Sequence, residues 1–289
     1  MHGLFRRATT GAIAASLVLL ASGCGVSPSR EVATSGSGKS PGKADDSFDQ
    51  SYTPDQFSRY GMPAYDRVWT INDQVNVANI LAKLTKERGY YLLPKYKSER
   101  SGMIFDRLMS AENFAYFADK NQPIESRLKN IDRYLDANCK ILTMYLSAYR
   151  TKDSHVMEFV EYMGSLMRFA PVILDLLNEA GESFSKEDSR RFHLNKTGDD
   201  ADALKRVIET FISFLEEPQQ FHKTEFRRYV WHLNETMPTY FKRLPKEHRE
   251  FLMWRLEKVQ RIPGTKMLQP ELDELIAKLK TLTPKEASE

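Results

Sequence analysis

The chain reads as an all-α protein: a single multi-helix bundle built on antiparallel helical hairpins and preceded by a disordered tether. Three observations carry that reading. Apolar residues recur at alternating spacings of four and three along two consecutive segments, from Ile124 to Tyr149 and from Val156 to Leu177. Residues that start and stop helices bracket those segments and several shorter ones. Strand-type alternation never persists for more than a few residues.

Taken in order, the first element opens at Thr70, where Thr70-Ile71-Asn72-Asp73 has the form of a capping box, and closes at Gly89. A loop rich in Tyr, Lys and Ser follows, and short helices are expected near 102–109 and 111–119. Pro123 suits a helix's first turn, because it lacks the N–H that would have no partner there. Behind it Ile124, Leu128, Ile131, Leu135, Asn138, Leu142, Tyr145 and Tyr149 form one stripe. Val156, Val160, Met163, Met167, Ala170, Leu174 and Leu177 form the next, and the break between them is short enough for an αα-hairpin. Asn138 either fixes the register through a buried hydrogen bond or lies at the wet edge of the seam. Pro171 should kink the second arm, since its ring clashes with the carbonyl of Met167. A punctuated stretch then offers a short cap at Ser185-Lys186-Glu187-Asp188. Asp199 or Asp200 should start a helix carrying Leu204, Val207, Ile208, Phe211, Ile212 and Leu215. Further helices are expected at 219–243, 245–261 and 269–281, the last two with Pro245 and Pro270 near their starts. No fixed-period repeat is present.

The first residues have a different character. Arg6 and Arg7 precede an apolar run from Gly11 to Leu20 that is too short to span a bilayer, and Ala21, Ser22 and Gly23 lead directly into Cys24. This arrangement resembles a bacterial lipoprotein signal peptide with its lipobox. The resemblance covers only residues 1–24, and Ala21 stands where Leu is commoner. It implies cleavage before Cys24 and acylation of that residue. Two or three acyl chains would make the attachment effectively permanent, at about 0.8 kcal/mol per buried CH₂. Gly25, in place of the Asp that marks inner-membrane retention, points to the outer membrane in a cell that has two. The alternative is an ordinary secretory leader with Cys24 a bystander.

On this reading, residues 1–23 are a leader, 24–62 the lipidated cysteine and a flexible tether, 63–283 the helical domain and 284–289 a tail. The tether is rich in Ser, Gly, Pro, Asp and Lys and too poor in large apolar residues to order itself. Its run from Ala33 to Ser40 has the outline of a phosphate-binding loop, but no strand precedes it and Pro41-Gly42 follows, so it reads as linker.

Composition excludes several function classes. Mean hydropathy is −0.51, and no apolar run approaches 20 residues, which argues against a multi-span membrane protein. Two cysteines cannot build a disulfide framework or a cysteine-only zinc site. The 42 Lys+Arg stand against 39 Asp+Glu. Removing the leader takes away two arginines and no acids, so no global preference for a nucleic acid remains. Cys139, the other cysteine, is expected to be a buried, inert thiol.

Three histidines stand one helical turn before a carboxylate: His155 before Glu158, His222 before Glu225, and His232 before Glu235. Such spacing can hold a metal or position a base, and it also arises in ordinary surface pairs. His222, Glu225, Tyr229 and His232 share one flank of a helix, which makes His222, Glu225, His232 and Glu235 the candidate ligand or metal residues. No nucleophile signature is present and no cofactor is expected. Residues 218–266 carry 11 Lys/Arg against 5 Glu, a local bias suited to anionic headgroups or an acidic partner. The aromatics interleaved there fall mostly at core spacing. The expected role is therefore non-catalytic. The chain would be held to the membrane through lipid on Cys24 and would bind another envelope protein. A small-ligand or metal carrier is the alternative, and an envelope enzyme with an unfamiliar site comes third.

Overall fold

The computed structural model describes residues 49–114, 119–152, 154–183, 199–216 and 222–282. The leader with Cys24, the tether through Phe48, the Ser185–Asp188 cap and the tail lie outside those residues. The described residues contain nine α-helices and no strand: α1 Pro54–Ser58, α2 Ile71–Arg88, α3 Gly102–Leu108, α4 Ile124–Lys152, α5 Val156–Ser183, α6 Asp199–Leu215, α7 Lys223–Phe241, α8 Lys246–Gln260 and α9 Gln269–Lys280. None of these helices is long and apolar enough to cross a membrane. The segment expected to be helical near 111–119 is instead a 3₁₀ turn over Ala111–Phe114 as far as it is described.

Local chemistry sets the boundaries. Thr70 and Asp73 satisfy each other's backbone donors, with Asp73 N–H donating to Thr70 Oγ1 at 3.2 Å and Thr70 N–H to Asp73 Oδ2 at 2.8 Å. Gly89 ends α2 at φ +98°, a conformation that other residues adopt only with strain.

The packed body starts earlier than the expected boundary at 63. Thr53 and Gln56 form a second capping box with Pro54 in the first turn, and Phe57 is completely buried. Tyr52 N–H donates to the Leu92 carbonyl at 3.2 Å. The low apolar content of the stretch hid one well-placed phenylalanine and its cap.

Helices α4 and α5 form the expected antiparallel hairpin. Partners run in opposite directions along it: Arg127 with Glu179 at 2.6 Å, Tyr134 with Phe169, and Tyr145 with Tyr162. The predicted stripes are buried at every described side chain except Ile124, which is half-buried. Asn138 takes the buried role. Its amide donates to the Tyr134 carbonyl at 2.7 Å, and the Tyr162 hydroxyl donates to its Oδ1. Cys139 departs from expectation: it is half-buried, one position off the seam.

Two further pairings are parallel. Asn72, Asn79 and Thr85 of α2 meet Arg133, Lys140 and Met144 of α4 in the same order. Likewise Glu161 and Met167 of α5 meet Arg228 and Tyr240 of α7, and Pro171 meets Arg243 just past its end. Helix α9 packs beside α7 and antiparallel to α8, where Lys280 pairs with Glu257 at 2.9 Å. Helix α6 packs against α8, where Arg255 donates to the Glu209 carbonyl at 3.3 Å and pairs with Glu216, just past the end of α6, at 2.7 Å.

Candidate functional site

The most concentrated polar chemistry among the described side chains lies where α5 meets α7. Helix α5 is apolar around Val160, Met163 and Leu166, yet it presents Glu161 with its side chain almost wholly buried. Opposite, Arg228, Trp231 and His232 fall three and four residues apart and so share one face of α7. Arg228 donates from Nε and Nη2 to the two oxygens of Glu161, the second bond measuring 3.1 Å. His232 Nε2 stands 3.2 Å from Glu161 Oε2, but off the line of a straight hydrogen bond. The Arg228 guanidinium lies 4.0 Å above the Trp231 ring, and Trp231 meets the His232 ring edge-on at 4.9 Å.

Gly164 makes this packing possible. A Cβ at that position would come within 2.3 Å of His232 Nδ1 and 2.4 Å of Cγ, inside any permitted contact. The imidazole fills the space a side chain would take and is 0% exposed. Nδ1 makes no hydrogen bond there.

The electrostatics follow from burial and partners. Burial pushes the Glu161 carboxyl up, but His232 and Arg228 together more than offset it and hold the group at about 2. Burial pushes the His232 imidazole down, against the pull of Glu161. The working state at neutral pH is therefore an ionised carboxylate, a paired guanidinium and a neutral imidazole. Neither ring nitrogen of His232 is hydrogen-bonded to a hydroxyl or thiol that it could activate. What the arrangement can do is hold Trp231, 44% exposed, in a fixed pose at the surface.

The candidate ligand residues do not converge. His222 is exposed just ahead of α7, Glu225 is half-buried, His232 is buried against Glu161, and Glu235 is exposed. Among the described residues, no group of three or more His, Cys, Asp or Glu is placed to hold a metal ion. His155 and Glu158 also part company. His155 stands just ahead of α5 at φ +60° with its ring against Tyr145, whereas Glu158 accepts the Tyr96 N–H at 2.8 Å. Nearby, Asp49 accepts hydrogen bonds from the Ser51 N–H and the Ser98 hydroxyl and fastens the start of the described chain to the loop after α2.

Most of the aromatics at core spacing are in the core: Phe226, Tyr229, Tyr240 and Phe241 are buried. Trp231, Phe251 and Trp254 are exposed instead. The sequence reading named His232 but missed Glu161, Gly164 and Arg228. The available signal was an acid set between the apolar Val160 and Tyr162, with Gly164 one turn on.

The fold and site together define an all-helical domain with a buried ion-pair cluster between two parallel helices. No protein-family model, curated protein or solved structure matches the chain.

Proposed function

We propose that this chain is a lipid-anchored cell-envelope protein whose helical body is a protein-binding or scaffold module. The anchor rests on the leader and Cys24. The module rests on one observation: Trp231 is exposed yet fixed, stacked under Arg228, which Glu161 grips with both oxygens. Trp and Arg dominate the residues that carry binding energy at protein interfaces, and a side chain ordered before contact loses less entropy on binding.

Two measurements test the reading. Cys24→Ser should abolish palmitate labelling; continued labelling of that variant would refute the anchor. A photo-crosslinking residue in place of Trp231, in the full-length protein in cells, should trap a discrete envelope protein, and Glu161→Gln should weaken the adduct. Recovery of no specific partner under several growth conditions would count against the module.

A further inference from the structure

A second exposed surface lies on α8. Its inward face is Leu252, Met253, Leu256 and Val259, all buried. Its outward face carries Phe251 and Trp254, 37% and 57% exposed, with ring centroids 6.0 Å apart. Lys205 of α6 holds its ammonium 4.6 Å from the Phe251 centroid, and Lys258 lies 5.7 Å from that of Trp254. Arg261 is exposed just beyond the helix end. Acidic groups gather at the other end, where Glu247 and Glu250 are exposed and Glu250 pairs with Lys246. The middle of the face is thus two aromatic rings, each with a lysine ammonium over it, while Glu257 beside them is half-buried and paired with Lys280 at 2.9 Å.

We propose that this face of α8 docks on the anionic surface of the membrane that holds the lipid on Cys24, an inference that rests on the anchor reading. Charge complementarity selects the occupant. Aromatic rings settle at the headgroup level of a bilayer, and lysines around them are drawn to anionic lipid. The surface is one helix face with its cations at the rim of the rings, a shape suited to a flat, charged boundary. The anchor supplies proximity. Because the packed body begins by Asp49, about 25 residues separate it from Cys24, and a chain of that length cannot carry the body more than about 85 Å from its anchor. At that tether length the effective concentration of membrane is on the order of millimolar, so a weak contact is enough.

The test uses the full acylated protein in vesicles of brominated phosphatidylcholine, with or without brominated phosphatidylglycerol. Trp emission should be quenched in the anionic vesicles and much less in the zwitterionic ones. Trp254→Phe should remove that quenching, and Lys258→Gln or Lys205→Gln should each lower the docked-to-free ratio about fivefold. Trp254 left unquenched in both compositions, as it would be if the face served a protein partner, overturns the proposal. So does equal quenching in both. If mass spectrometry finds no acyl group on Cys24, the anchor reading fails on its own. The same vesicles added to the unanchored chain then score the docking face, with anionic-only quenching supporting it and none overturning it.

Discussion

The hydroxyl of Tyr240 on α7 donates to the carbonyl of Met167 on α5, the oxygen that Pro171 leaves without a helical donor. A proline inside a helix has no N–H for the residue four positions earlier. The same substitution of a donor recurs at Pro238 on α7, where Lys278 of α9 donates to the orphaned Asn234 carbonyl at 2.9 Å. In both cases a neighbouring helix repairs the break, so each proline ties two helices together.

Tyr240→Phe should therefore cost about 1–3 kcal/mol, since a buried carbonyl is left without a partner. In a Pro171→Ala background the backbone N–H returns, and the same change should be close to neutral. Denaturant midpoints for the four proteins of this cycle measure the coupling. Equal costs in the two backgrounds would show that Tyr240 acts by packing alone.

Gly164→Ala pits two effects against each other. Alanine in a helix interior is favoured over glycine by about 1 kcal/mol. The contact with His232, however, forces the ring or the helices apart at about 1–3 kcal/mol. A net loss of thermal stability is expected, and His232→Ala should relieve most of it. A melting temperature that rises in Gly164→Ala alone would contradict the packing of these two residues.

Acid stability should depend on Glu161. Its folded value of about 2 lies below its ordinary 4.5. The stabilisation is therefore complete above about 4.5 and is lost as pH falls toward 2. After discounting for the partial exposure of Arg228, the effect is about 1–3 kcal/mol. Glu161→Gln should lower stability at neutral pH and flatten the unfolding free energy across that range. An unchanged acid limb would argue that the carboxylate is ordinary.

A separate limb should come from His155. Burial, reinforced by Lys95, depresses its imidazole from 6.5 to about 4. The unfolded chain then binds the proton first, so stability is full above 6.5 and falls as pH drops toward 4. His155→Asn suits the left-handed backbone at that position and should shrink this limb by up to about 3 kcal/mol. His232, also depressed by burial, should leave a residual slope. Urea titrations at stepped pH read both.

Much of this architecture was legible in the residue order. The Thr70 cap, the stop at Gly89 and the two stripes of the α4–α5 hairpin are local signals, because helix geometry places residues three and four apart on one face. The start of the body was misplaced because one buried phenylalanine outweighs the polar composition around it.

Spacing along one helix could not reveal which carboxylate would face His232. Its i,i+3 neighbour Glu235 points to solvent, while Glu161, 71 positions earlier, meets it because α5 and α7 run parallel and Gly164 lets them approach. The amino-acid order by itself determined which segments coil, where they stop and which side of each is apolar. Only the tertiary structure decided which helices lie side by side and which orphaned carbonyl or buried charge finds its partner, since those pairings depend on distances that no local periodicity encodes.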